Sequence, residues 1–217
     1  MKKLCAFDLD GTLVNTISDI GNAVNHSLEL MNKPTHPLEC YNKMVGNGME
    51  LLCKRALGNG TDKEVKELIS LYNSYYMENC CVLSKPYDGI IQLLNSLREN
   101  NFILAIITNK PQNQSNEVIS KLFCENTFDY IIGSNNGFPK KPDPSAFKFI
   151  MEHFNVSAEQ SWFVGDSDVD IEFAKNSNTK SIGVSWGFRG EEELKQAGAD
   201  FIAHNASELE EIILESF

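Results

Sequence analysis

The sequence predicts an α/β protein: a doubly wound, Rossmann-like parallel sheet with an inserted all-helical cap subdomain. Three observations predict it. Short apolar runs rich in β-branched and aromatic residues alternate with stretches of helical periodicity, the pattern of a parallel sheet covered on both faces. Between residues 16 and 83 that alternation stops and helix follows helix. Each of several apolar runs ends in a polar segment, and in open parallel sheets the ligand site lies beyond the carboxyl ends of the strands.

The first predicted strand covers residues 3–7 and ends at Asp8. In the helical block, Ile20, Val24, Leu28 and Met31 share one face, Leu51, Leu52 and Leu57 a second, and Val65, Leu68, Ile69 and Tyr72 a third. A block of this kind after the first strand reads as a cap, so 1–15 and 84–217 are expected to form the core and 16–83 the cap, with junctions near Asn15 and Lys85-Pro86. The core resumes with a helix on Ile90, Leu93, Leu94 and Leu97, a strand over 102–107, a helix on Val118, Ile119 and Leu122, and a strand over 130–132. Asp143 caps the next helix ahead of a first-turn Pro144, and Phe147, Ile150 and Met151 form its apolar face. Strands over 162–164 and 181–184 complete the sheet, and Ser207 with Glu210 has the spacing of a capping box for the final helix.

A chain of 217 residues closes one medium domain with its own core, and 42% hydrophobic with 23% charged residues is ordinary globular usage. Thirty acidic against nineteen basic residues give a net charge of -11, which repels nucleic acid and anionic membranes, and no basic patch compensates. No apolar run approaches the ~20 residues of a membrane span, and the one before Asp8 is too short for a signal-peptide core, so a cytoplasmic location is expected. The six cysteines lack zinc-site spacing and are expected as reduced thiols. The expected partner is a small molecule, bound by a monomer or homodimer.

The polar segments are chemically coherent. They read Asp8-Leu9-Asp10-Gly11-Thr12, Thr108-Asn109-Lys110, Lys140-Lys141-Pro142-Asp143-Pro144 and Gly165-Asp166-Ser167-Asp168-Val169-Asp170. Each fragment alone reads equally as a turn or a helix cap; together, in this order, they bring carboxylates, hydroxyls and a lysine to one sheet edge. Clustered carboxylates repel unless protonated or neutralised, and a hard cation with oxygen ligands is the usual resolution, Mg²⁺ where phosphate oxygens complete the shell.

The order Asp8-x-Asp10-Gly11-Thr12, Thr108-Asn109, Lys141-Pro142-Asp143-Pro144 and Gly165-Asp166-Ser167-x-x-Asp170 resembles the four-motif signature of the haloacid dehalogenase superfamily, over essentially the whole chain. Within it the chain is most similar to phosphoglycolate phosphatases, through residues 7–14, Val45-Gly46-Asn47-Gly48 with Arg55-Ala56-Leu57, and residues 184–189 followed by Ala197-Gly198-Ala199-Asp200. One departure is Asn15, where relatives often carry aspartate.

The resemblance implies a Mg²⁺-dependent phosphomonoesterase acting on a small phosphorylated metabolite, 2-phosphoglycolate first, through an aspartyl-phosphate on Asp8. Pyrophosphate, nucleoside monophosphates and sugar phosphates are the alternative substrates, and a sugar phosphomutase of the same fold the alternative reaction. Metal would bind Asp8, the Asp10 backbone carbonyl and Asp166. Asp10 would act as acid and then base from a drier, cap-covered position. Thr108 and the Asn109 N–H would hold phosphoryl oxygens, Lys141 would neutralise developing charge, and Asp170 would orient the metal site or Lys141. Gly46, Asn47 and Gly48 would approach the ligand from the cap. Lys140 reads as a surface lysine, and Arg55 as a solvated helix residue or a fork for a substrate carboxylate.

Overall fold

The first strand, β1 (Lys3–Phe7), is central because its residues alternate between two cores: Cys5 and Phe7 enter one apolar cluster and Leu4 and Ala6 the other, all four fully buried. A strand buried on both faces needs helices on both sides of its sheet. The computed structural model describes residues 2–215; Met1 and 216–217, the ends of the expected core, lie outside them. Two short strands, β2 (Val14–Asn15) and β3 (Lys85–Pro86), precede β4 (Phe102–Pro111), β5 (Tyr130–Ser134), β6 (Ser161–Gly165), β7 (Lys180–Val184) and β8 (Phe201–Ala203). The six-stranded sheet has the order β5-β4-β1-β6-β7-β8, every pair parallel. Phe7 aligns with Ile106 on one side and Val164 on the other, so Asp8 emerges level with Ile107 and Gly165.

The expected strand at 102–107 runs on to Pro111, with a register shift between Ile107 and Pro111. That irregularity carries Thr108, Asn109 and Lys110, consistent with bulges re-aiming side chains beside sites. β8 and the helix α8 (Glu191–Ala197) lie outside the sequence expectation; at three and seven residues they are too short to show a period.

Helices α1 (Ile17–Leu30), α2 (Met49–Leu57) and α3 (Asp62–Asn79) fill the interval between β2 and β3. β2 and β3 pair antiparallel, Val14 with Pro86 and Asn15 with Lys85, so the two ends of the helical insert are clasped together. Buried Asp19 of α1 secures the return: its carboxylate accepts from Leu83 N at 3.0 Å, Ser84 N at 2.8 Å and the Ser84 hydroxyl at 2.6 Å. Within α2 the buried residues are Leu52, Cys53 and Ala56; Leu51, expected on that face, is 43% exposed. Neighbouring leucines are 100° apart around a helix, and the stripe follows Leu52 and Ala56, four residues apart.

The core helices are α4 (Ile90–Glu99), α5 (Gln112–Leu122), α6 (Ser145–Phe154), α7 (Asp168–Asn176) and α9 (Ala206–Glu215). Ahead of α6, Asp143 Oδ1 accepts from Ser145 N at 3.0 Å, but the helix begins one residue later than expected, with Pro144 at the N-cap position instead of in the first turn. The start of α9 differs from expectation. Asn205 Oδ1 accepts from Glu208 N at 3.0 Å and the Glu208 carboxylate accepts from His204 N at 2.8 Å, so the helix is capped two residues before Ser207. Asn205 and Glu208 have the same spacing as Ser207 and Glu210, and asparagine caps as well as serine; Glu210 instead accepts from the Ser96 hydroxyl of α4.

Candidate active site

Asp8 follows β1 directly, fixed by its N–H donating to Val164 O at 2.9 Å. The chain then folds tightly, Leu13 N and Val14 N both donating to Leu9 O at 3.1 Å, and Gly11 takes a φ of +88° that favours glycine. A Cβ on Gly11 would sit 2.4 Å from Asp166 Oδ2, and one on Gly187, in the loop after β7, 2.2 Å from Asp166 Cβ. These two glycines leave room for one carboxylate. Phe188 N donates to Asp166 Oδ2 at 2.7 Å and the Thr12 hydroxyl to Oδ1 at 3.3 Å.

Asp8, Asp166 and Asp170 are all buried, with one carboxylate oxygen from each inside a 4.8 Å cluster. Lys141 Nζ lies 2.6 Å from Asp170 Oδ1 and 2.9 Å from Asp8 Oδ1, against the Phe163 ring at 5.1 Å. The Asp8 contact is an ion pair that leaves the buried Asp8 Oδ1 a lone pair to spare. Asp170 is committed: Oδ1 takes Lys141, and Oδ2 accepts from Ser167 N at 3.1 Å and its hydroxyl at 2.7 Å.

Three carboxylates therefore share one ammonium. Burial, then the charges of Asp170 and Asp8, push Asp166 well above the ordinary carboxylate range; burial also raises Asp170, with Lys141 opposing. Burial alone would lower Lys141, but Asp170 and Asp8 outweigh it and its pKa is raised. An all-carboxylate donor set, three acids against a single lysine and a spare lone pair on Asp8 fit a hard divalent cation held by Asp8 and Asp166.

Asp10 is not in that cluster. Both its oxygens lie 3.0 Å from Lys110 Nζ, and Oδ1 also accepts from the Thr16 hydroxyl at 2.8 Å. Thr16 begins α1 without capping it; its hydroxyl is spent on Asp10. The Lys110 side chain is 3% exposed, with its ammonium 4.6 Å from the Tyr76 ring centroid. Burial would lower the Lys110 pKa, yet Asp10 more than offsets it and the value is raised. Asp10 thus lies mostly buried beneath the helical insert, in an ion pair with Lys110 that the sequence did not predict.

The remaining expected residues fall in two groups. Thr108 and Asn109 line the cleft with Asp8, Asp10, Gly46 and Gly48. Asn109 does most to join the parts: Oδ1 accepts from Lys141 N at 2.8 Å, and Nδ2 donates to Lys141 O at 3.2 Å and to Gly46 O at 3.1 Å. Arg189 Nη2 donates to Val45 O at 2.9 Å, a second tie between core and insert. Asn47 is half-buried and does not line the cleft. Arg55 is exposed, does not line the cleft, and donates to Met44 O at 2.8 Å; Lys140 is exposed, its ammonium beside Gly48. The sequence assigns no role to Thr16, Lys110, Gln114 or Arg189. Lys110 carries a signal as the residue directly after Thr108-Asn109 and Arg189 as the end of the 184–189 resemblance; Thr16 and Gln114 reach the site through folding.

A family model described as haloacid dehalogenase-like hydrolase matches residues 5–184. A phosphoglycolate phosphatase from Colwellia psychrerythraea strain 34H is 36% identical over 215 residues, covering 96% of this chain and 95% of its own. A solved structure from Haemophilus somnus 129PT, described as a predicted phosphoglycolate phosphatase, superposes with a TM-score of 0.91 at 29% identity and covers 97% of both chains. Another, from Clostridium acetobutylicum and described as a predicted phosphatase, gives 0.88 at 32% identity over 98% of both. The chain belongs to the haloacid dehalogenase-like hydrolases and is a phosphatase acting on a small phosphorylated substrate.

Proposed function

We propose that the chain hydrolyses 2-phosphoglycolate, with Asp8 attacking phosphorus to form an aspartyl-phosphate that water then cleaves. The observation that carries the reading is the division of two carboxylates on one cleft between two lysines, Asp8 with Lys141 and Asp10 with Lys110. Asp8 has the open oxygen a nucleophile needs. Asp10 stands on the same loop, where its protonated form would give its proton to the departing alkoxide, leaving the carboxylate that pairs with Lys110 and later takes a proton from the attacking water. Thr108 and the Asn109 N–H hold phosphoryl oxygens, and Lys141 balances charge as it builds on them, with Asp170 fixing its ammonium. Bound by Asp8 and Asp166, with the Asp10 carbonyl as a third ligand, Mg²⁺ would screen the repulsion between carboxylate and phosphate.

In this reading 1–15 and 84–217 act as the catalytic core and 16–83 as a cap, with Gly46 and Gly48 closing over the ligand while Asn109 holds Gly46 and Arg189 holds the adjoining Val45. A cytoplasmic site of action accords with six free thiols. The test is phosphate release over a panel of small phosphate esters and pyrophosphate, with and without Mg²⁺. The fastest turnover is expected on 2-phosphoglycolate with Mg²⁺. Isomerisation of a sugar phosphate, primed by a bisphosphate and releasing no phosphate, would replace this reading with a mutase.

A further inference from the structure

Among the described residues lining the cleft, Lys110 is the only lysine, arginine or histidine. Its position is unusual for a residue that only pairs with Asp10. The ammonium is walled by Tyr76 at 4.6 Å, and an apolar surround strengthens any charge it meets. Both hydrogen bonds it makes go to one carboxylate, whereas an ammonium offers three donors. Beside it in the cleft lining stands Gln114, 1% exposed, whose Nε2 donates to Asn73 Oδ1 of α3 at 2.8 Å while its own Oε1 finds no partner. Turning both amides over together preserves the bond between them and puts an N–H of Gln114 where the orphaned oxygen stood. The other cations around the cleft do not line it: Lys141 pairs with Asp8 and Asp170, Arg189 donates to Val45 O, Arg55 donates to Met44 O, and Lys140 is solvent-exposed beside Gly48 at the rim.

We infer that Lys110 and Gln114 form the subsite that selects a leaving group bearing its own negative charge, Lys110 by charge and Gln114 by an amide N–H. The inference rests on the proposed reaction, in which Asp10 serves the ester oxygen. Since Lys110 Nζ is 3.0 Å from both Asp10 oxygens, the charge it reads has to lie within a bond or two of the ester carbon. The substrate class is therefore a short α-phosphorylated carboxylate. A longer acid would carry its charge past Lys110, and a neutral alcohol would leave the subsite unfilled.

The experiment compares kcat/KM for 2-phosphoglycolate and for ethyl phosphate, which has the same chain length and no carboxylate, in wild type, Lys110→Met and Gln114→Leu. Lys110→Met is expected to slow both through Asp10, but to lose about tenfold or more additionally on 2-phosphoglycolate, because a site built for a charged group discriminates strongly. Gln114→Leu leaves the Lys110–Asp10 pair intact and should lose about threefold or more on 2-phosphoglycolate alone; it decides the matter if Lys110→Met does not fold. Equal losses on the two esters in Lys110→Met, or an unchanged ratio in Gln114→Leu, overturn the subsite and leave the proposed function standing. A wild type that prefers another α-phosphorylated carboxylate, a preference Lys110→Met removes, overturns the choice of 2-phosphoglycolate and upholds the subsite. A wild type that prefers ethyl phosphate overturns both.

Discussion

Two buried lysines pair with the two aspartates that follow β1, each against an aromatic ring, and they differ in what surrounds them. Lys141 lies over Phe163 and serves two carboxylates with a third in the cluster; Lys110 lies over Tyr76 and serves one. The first group carries excess negative charge and an open carboxylate oxygen, the second is charge-balanced. Charge imbalance calls for a cation, while a balanced pair needs none. The same residue types, lysine and aspartate, thus give one centre suited to metal and phosphoryl chemistry and another suited to the leaving group.

The sharpest way to break this comparison is to remove the group that defines the first centre. Asp8→Asn should lower phosphate release by at least about 10³-fold, since losing a nucleophile removes the covalent path. Chelation by EDTA should likewise abolish turnover and Mg²⁺ restore it, whereas Ca²⁺, with its larger and looser shell, should fail to restore it; full activity in excess EDTA contradicts a metal at Asp8 and Asp166. At the second centre, Asp10→Asn should reduce the rate by about 10² to 10⁴ in steady-state assays, because only proton transfer is lost. Equal, total losses in Asp8→Asn and Asp10→Asn would erase the distinction between the centres.

Much of this was legible in the sequence, and the pattern of failure is physical. β1, β6 and β7 were readable because a strand buried on both faces is a continuous apolar run, and the four polar segments because each follows a strand directly or opens a helix. The surroundings of Asp10 were not. Thr16, Lys110 and Tyr76 come from three separated stretches, and only the packing of α1 and α3 on the core brings them together. The same holds for Phe188, whose backbone N–H has no side-chain identity to read, and for Arg189, which reaches Val45 across 144 residues.

Smaller effects sharpen the contrast between insert and core. Gly48 opens α2 at a φ of +91°, and a Cβ there would also lie 2.7 Å from Lys140 Nζ, an exposed side chain free to move. Gly48→Val should therefore strain the loop backbone and lower kcat/KM for 2-phosphoglycolate by several-fold, with less effect on acetyl phosphate, a small activated ester needing little cover. Equal losses on both would show that the loop acts through folding or general closure.

The smallest effect is on stability. Asp166 and Asp170 have folded pKa values above their unfolded ones, so the folded protein binds their protons more tightly. Stability from these groups is present at low pH and is lost as pH rises from about 4 through the raised values. Without metal, Asp166→Asn should melt higher than wild type at neutral pH, with the gap closing toward mildly acidic pH; Mg²⁺ should reverse the order. A gap that does not change with pH or Mg²⁺ would contradict the charge imbalance at the first centre.

The most direct test of the division between the two centres is rapid acid quenching with phosphoryl-labelled 2-phosphoglycolate, followed by mass spectrometry of the peptide containing Asp8 and Asp10. Wild type should carry label on Asp8 transiently, Asp10→Asn should retain it longer because water attack has lost its base, and Asp8→Asn should carry none. Label trapped on Asp8→Asn, or phosphate released by wild type in a single turnover with no labelled peptide at any time, would contradict it.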